Sequence, residues 1–350
     1  MKHFYFDIIF TLIALSVAAW WGFSHGGTAG MLSGLFVTMI LAVMEISLSF
    51  DNAVVNASVL KTWDKFWKTI FLTVGMLVAV FGMRLLFPIV IVALTADMAM
   101  SDVINMALNQ PKLYSEKLIA HHAEISAFGG MFLLLVFLNF IFDEKEVLWF
   151  KWLERNLARF SKVDAISVFI ALLALVLSLS LVDVNEKFAV LIAGVSGILV
   201  YLGTNVLSHL IEGADDDDET TAEVEGAQVA GAIVKGGIAG FLYLEILDAS
   251  FSFDGVIGAF AITNDVIIIM LGLAIGAMFV RSLTLFLVEK GTLDEFVYLE
   301  HGAHYAIGAL AIIMLLSMKY HIPEIVTGLI GVAFIVLAVI HSISHRKNNP

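Results

Sequence analysis

Two segments inside apolar stretches carry nearly the same set of polar residues. EISLSFDNAV, residues 45–54, aligns without a gap on DASFSFDGVI, residues 248–257. The alignment pairs Glu45 with Asp248, Ser49 with Ser252, Asp51 with Asp254 and Asn52 with Gly255. Carboxylate, amide and hydroxyl oxygens gathered in one place suit hard dications such as Mg²⁺, Ca²⁺ and Mn²⁺. An acid at the centre of a bilayer costs about 2.5–3.5 kcal/mol on insertion scales, so one that is kept there is by default a candidate for ion handling. Here it is kept twice, at matched positions.

Helical geometry groups some of these acids and separates others. Glu45 and Asn52, seven apart, share a helical face, as do Glu245 and Asp248, three apart. Asp51 does not, because six residues at ~100° each turn it roughly 240° away from Glu45. Either the helices unwind near Asp51–Asn52 and Asp254–Gly255 and offer carbonyls to a cation, or the acids form two stations along a path. The plainer alternative is that Asp51 and Asp254 cap helix ends or pair with arginines. Two arginines are duplicated as well: Gly75 lies nine residues before Arg84, and Gly272 nine before Arg281. They read as counter-ions for the acids, with control of ion release as the alternative. His122 and His301 open parallel runs, HAEISAFGG and HGAHYAIGA. Interhelical hydrogen bonding accounts for such histidines, and a direct metal role is the sharper reading.

The elements that hold these residues must be membrane helices. Of 350 residues 60% are hydrophobic and 15% charged, and apolar runs of spanning length fall near 6–23, 31–60, 69–94, 118–142, 165–182, 188–210, 235–262, 265–288, 297–317 and 324–343. The expected fold is all-α, a polytopic membrane helix bundle of about ten spans. Residues 1–185 form a first membrane repeat and 186–350 a second. An odd number of spans per repeat inserts the second copy upside down, giving an inverted five-plus-five arrangement with its site near the midplane. Thirteen Lys and Arg residues fall at the N-terminus and after even-numbered spans, against four on the other side, which puts both termini in the cytoplasm of a multi-pass cell (inner) membrane protein. Lys2 and His3 precede an apolar run with no convincing cleavage site, so the first span is read as retained.

Other compositional features narrow the function. The absence of cysteine excludes disulfides, thiolate metal sites and cysteine nucleophiles. Net charge is −13, but eight of the acids lie in an acidic cytoplasmic loop at 212–225, so the imbalance is local and gives no reason to expect nucleic acid. That loop reads as a solvated tether. No P-loop, HExxH or GxSxG pattern is present, and an enzyme is not expected.

Glu45 with LSFDN, then ExxDxSFSFD at 245–254 followed by AFAIT and Arg281-Ser282-Leu283, resemble the TerC family of membrane proteins, named for tellurium resistance, and in particular its branch labelled a domain of unknown function. The resemblance covers both repeats. It implies divalent-cation efflux, chiefly of Mn²⁺, metal and tellurite resistance, and an inverted-repeat bundle; the family's motif acids correspond to Glu45, Asp51, Glu245, Asp248 and Asp254. Where many relatives have Asp-Ser-Ile-Pro, this chain has Asp254, Gly255, Val256 and Ile257, losing a hydroxyl and a helix kink. The expected metal set is therefore Glu45, Asp51, Asn52, Glu245, Asp248 and Asp254, with Ser49, Ser252, His122, His301, Arg84 and Arg281 as secondary candidates. The ion is cargo, no cofactor is held permanently, and the partners are a divalent metal ion and the lipid bilayer, with a homo-oligomer compatible. Close carboxylates in a low dielectric hold protons that an arriving cation displaces, which makes proton-coupled antiport a natural extension. The competing readings are a membrane scaffold for a metal or tellurite stress response, docking through the acidic loop and the basic segment 151–162, and a lysine-exporter-like small-solute exporter.

Overall fold

Small residues at four-residue spacing let the first helix fold back on itself. In the computed structural model, which describes residues 4–95, 98–145, 147–160, 165–212, 237–291 and 295–348, helix α1 (Tyr5–Leu48) loses helical geometry at Gly26 and Gly27, the latter at φ 59°. Only glycine adopts that conformation without strain. The two arms then pack antiparallel: Gly22 touches Gly30, and a methyl on Gly34 would sit 3.1 Å from the Ala18 carbonyl. Ala14, Ala18 and Gly22 face Gly30, Gly34 and Thr38, the small-residue contact that lets membrane helices approach closely. The outer faces of both arms, with Phe6, Leu12, Trp20, Phe36 and Val43, stay exposed, as lipid-facing surface does.

The expected single span over 31–60 is interrupted. Ser49 (φ −101°, ψ 18°) ends α1, and α2 (Phe50–Leu60) starts after it. Helix α3 (Lys65–Ile70), N-capped by Asp64 through a 2.8 Å bond from Trp67 N, runs into wide π-helical turns at Phe71–Gly75 and Val78–Leu86 before α4 (Phe87–Thr95). Between the expected spans 69–94 and 118–142 the chain carries two helices, α5 (Met100–Asn109) and α6 (Pro111–Ala120, with proline in its first turn). They form because Val103, Met106, Tyr114 and Leu118 find a buried apolar surface, which outweighs the segment's polar composition.

Helix α7 (His122–Phe142) is buried nearly all round, as expected of a helix apolar on every face. After it come α8 (Lys151–Leu157), α9 (Ile166–Ser178), α10 (Lys187–Glu212), α11 (Ile238–Ile262), α12 (Val266–Glu289), α13 (Leu299–Ser317) and α14 (Glu324–Asn348). Helices α7 and α13 run antiparallel: the Phe140 ring stacks on His304 at 3.8 Å at one end, and Ser317 Oγ meets Ser126 Oγ at 3.4 Å at the other. The second arm of α1 runs parallel to α12, with Gly34 against Ile268 and Thr38 and Leu41 against Gly272. Among the described residues seven helices are long and apolar enough to cross a bilayer, and Ile166–Leu181 is a shorter apolar helix. The acidic loop lies outside the described residues, apart from Glu212 at the end of α10.

The basic segment after α7 is tied down by an acid within it. Glu154 is 1% exposed. It accepts from Trp149 N (3.0 Å), Phe150 N (3.3 Å) and Tyr305 Oη (3.0 Å), and lies 3.6 Å from His301 Nε2. Burial raises the pKa of its carboxyl, but the hydrogen bond and charge of His301, with the bonds from Phe150 and Tyr305, outweigh burial and hold it below its ordinary 4.5. Its stabilising contribution is therefore complete above about pH 4.5 and is lost as pH falls through the lowered value. Glu154→Ala should cost about 1–3 kcal/mol at pH 7. Thermal unfolding of purified wild type and variant, followed by circular dichroism, should reveal a gap in midpoint at pH 7 that closes in acid; a gap unchanged below pH 4 would contradict this role.

Candidate functional site

Five charged side chains from four elements converge inside the bundle. Glu45 comes from the last turn of α1, Arg84 from the wide turns before α4, Glu245 and Asp248 from α11, and Arg281 from α12. All five are buried. Arg84 Nη2 lies 2.5 Å from Glu45 Oε1, and Arg84 Nη1 lies 3.9 Å from Asp248 Oδ2. Arg281 Nη2 lies 3.2 Å from Glu245 Oε1. Each guanidinium also takes a backbone carbonyl from the π-helical stretch: Arg84 Nη1 donates to Ala79 O at 2.8 Å, and Arg281 Nη1 donates to Phe71 O. Arg281 further lies over the Phe71 ring, 4.0 Å from its centroid, a cation–π contact that a desolvated site strengthens.

Glycines make room for this convergence. A methyl on Gly75 would collide with Glu245 Oε1 and come within 3.0 Å of Arg281 Nη1. A methyl on Gly255 would sit 2.8 Å from Glu45 Oε2, and one on Gly276 would collide with Glu45 Cβ and Cγ. The two duplicated motifs therefore meet directly, through the Glu45 carboxylate and the backbone of α11 at Gly255. Helix α11 stays helical through Asp254 and Gly255; the expected unwinding there is absent, since a side-chain-free position lets the carboxylate approach without breaking the helix.

The remaining candidates divide into near and distant groups. Ser49 Oγ donates to Glu45 Oε1 at 3.1 Å. Asn52 and Ser252 are buried, and Asn52 Oδ1, Ser252 Oγ, Glu245 Oε2 and Asp248 Oδ2 make no hydrogen bond among the described residues. Asp51 occupies the first turn of α2, where a helix dipole favours an anion; its Oδ1 accepts from Asn52 N at 3.0 Å, and its Oδ2 would lie 2.8 Å from a methyl on Gly331 of α14. The Asp254 side chain lies outside the described ones. His122 and His301 begin antiparallel helices and so sit at opposite ends of the α7–α13 pair. His122 Nε2 is 3.3 Å from Ser126 Oγ, and His301 Nε2 is 3.0 Å from Val147 O. Among the described residues no group of three or more His, Asp or Glu side chains is arranged as a metal centre.

Sequence reasoning passed over Asp7, 1% exposed, whose Oδ1 accepts from Ser282 Oγ at 2.9 Å. The rule that flags an acid within a spanning segment would have found it. It also passed over Glu154, because a charged loop residue gives no sign that it will be buried.

A family model described as "Protein of unknown function (DUF475)" matches residues 50–349. This chain belongs to that family. The matched range takes in Asp51, Asn52, Arg84, Glu245, Asp248 and Arg281, while Glu45 and Ser49 lie just before it. The chain is also 30% identical over 154 residues to "Uncharacterized membrane protein YceF" of Bacillus subtilis (strain 168), an alignment covering 42% of this chain and 57% of that relative. No solved structure matches. This DUF475 chain is a helical membrane protein with a buried ionic cluster.

The close approach at Gly276 gives a direct test of the cluster's packing. Gly276→Val should displace Glu45 from Arg84 and destabilise the folded protein by about 1–3 kcal/mol, as overpacking does. A methyl on Gly203 of α10 meets nothing within 4 Å, so Gly203→Ala should leave stability unchanged or raise it by up to about 1 kcal/mol. Equal midpoints for the two variants in a thermal-shift assay would contradict the assigned packing.

Proposed function

We propose that this chain is an integral membrane transporter of divalent cations, with Mn²⁺ the preferred ion and efflux its direction, and that the ion passes through the cluster of Glu45, Asp248 and Glu245. One observation carries the reading: the matched acids Glu45 and Asp248 come together with Glu245 around Arg84 and Arg281, and buried oxygens on Asp248 and Glu245 have no hydrogen bond among the described residues. Such oxygens are costly to leave unpaired, and a passing dication satisfies them. Oxygen-only ligands favour Mg²⁺, Ca²⁺ or Mn²⁺ over softer metals. The resemblance to TerC proteins at these residues selects Mn²⁺ and export from that group. Proton exchange for the ion, with both termini in the cytoplasm, completes the proposal.

The packing supports an inverted repeat for the central helices. Helices α7 and α13 cross antiparallel, with Gly129 against Met314 and Gly308 against Phe137, and both glycines belong to the matched runs. The contact of the second arm of α1 with α12 has its counterpart in that of α11 with the Arg84 segment. The outer helices do not follow this relation, since the first arm of α1 packs on α12 while α10 packs on α7. A small-solute exporter is less well supported, because both guanidiniums are already engaged by carboxylates and carbonyls.

Purified protein in liposomes, loaded with Mn²⁺, Ca²⁺, Mg²⁺ or Zn²⁺ under an imposed pH gradient, tests the reading. Mn²⁺ flux should be fastest and should respond to the gradient, while Glu45→Gln and Asp248→Asn should each lower it at least about tenfold with membrane insertion intact; wild-type flux in both variants would sink the site. Single cysteines in this cysteine-free chain test the topology separately. Lys61→Cys should label from the cytoplasm and Asn185→Cys from outside, and labelling from one face would rule out the five-plus-five inversion.

A further inference from the structure

Arg84 occupies the place where a transported cation would bind. Its Nη2 donates to Glu45 Oε1 and its Nη1 lies 3.9 Å from Asp248 Oδ2, so the guanidinium stands between two of the carboxylates. Its positive charge competes there with that of a bound cation. Resting on the transport reading above, we propose that Arg84 is a tethered competitor for the cation: it fills the carboxylate site between transport events, withdraws when the ion binds, and returns to drive release.

Three observations distinguish Arg84 from its duplicate. Arg281 is fixed on several sides, by Glu245, by the Phe71 carbonyl and by the Phe71 ring beneath it. Arg84 reaches Asp248 only at 3.9 Å, leaving Asp248 Oδ2 without a hydrogen bond, and its own Nε has no partner among the described residues. It also carries its resting place with it, because Ala79 O, 2.8 Å from Nη1, belongs to the same wide-turned segment. A side chain so held can leave Glu45 without losing every partner. Wide π-turns are themselves a frequent feature of functional sites, and tightening one to α-helical pitch rotates the residues beyond it.

Charge balance favours withdrawal over simultaneous occupancy. Glu45, Glu245 and Asp248 face Arg84 from the second arm of α1 and from α11, and Arg281 faces the cluster from α12. With both arginines in place, three ionised carboxylates and two guanidiniums leave a single negative charge, short of what a dication requires. With Arg84 withdrawn two negative charges remain, the charge that one dication neutralises. Binding and withdrawal are therefore coupled, and a cluster without the guanidinium would hold its ion too tightly for rapid turnover.

Equilibrium Mn²⁺ binding to the purified full chain, read from the electron paramagnetic resonance of free Mn²⁺, tests this alongside liposome flux. Arg84→Gln should bind Mn²⁺ at least about tenfold more tightly than wild type and turn over more slowly. Arg84→Lys keeps a positive charge but cannot hold Ala79 O and Glu45 together in a fork; it should bind a few-fold more tightly, and it decides the matter if Arg84→Gln does not fold. Binding that is abolished by Glu45→Gln but is equal or weaker in the folded Arg84 variants overturns this inference alone. Absence of Mn²⁺ binding in wild type and every variant overturns both it and the transport reading.

Discussion

The packing of α1, α11, α12 and the Arg84 segment depends on a cluster of buried acids and arginines. A buried ion pair is worth little or nothing beyond an apolar pair of the same shape, yet removing one member costs about 3–5 kcal/mol because the other is left uncompensated. The pairs Glu45–Arg84 and Glu245–Arg281 are thus mutually obligatory, and the helices that carry them have to meet at close to contact distance. That requirement explains the glycines at 75, 255 and 276, each opposite a charged side chain or its stem. It also explains the wide turns at Phe71–Gly75 and Val78–Leu86, which lie beside carbonyls that each accept from a guanidinium.

The duplication is not carried through evenly. Glu45 matches Asp248 and Arg84 matches Arg281, but Glu245 aligns with Ala42, so the second motif brings an additional acid. Arg281 faces that acid, whereas Arg84 bridges Glu45 and, at 3.9 Å, Asp248. The two arginines thus differ in the partners around them, with Arg281 over the Phe71 ring and Arg84 beside a second acid. Such asymmetry suits a device that alternates between states, because the two arginines need not respond alike to an incoming charge.

Beyond the cluster, two further buried acids tie peripheral elements to the bundle. Asp7 joins the first arm of α1 to α12 beside Arg281, through Ser282. Glu154 draws the segment between α7 and α9 against α13, through Tyr305 and His301. Trp149 Nε1 then donates to His341 Nδ1 at 2.7 Å and links the same segment to α14. The stretch that reads from sequence as a basic docking surface is thus anchored by its acid, while Lys151 and Trp152 stay outward.

By itself the sequence determined the helical membrane class, the acidic motifs and their arginine partners. Long apolar runs leave the backbone no alternative to helix in lipid, and acids inside them are too costly to be incidental. The matched motifs also singled out Glu45 and Asp248, which the structure brings to one guanidinium, that of Arg84. Only the tertiary structure decided that Asp51 turns toward α14 at Gly331 and that α11 runs unbroken through Gly255. These outcomes depend on which neighbour's backbone lies opposite a given residue, and local periodicity carries no record of that. The burial of Val103, Met106, Tyr114 and Leu118 and of Glu154 was hidden for the same reason: one face of a polar segment is drawn inward only where the rest of the fold supplies an apolar surface or a set of donors to receive it.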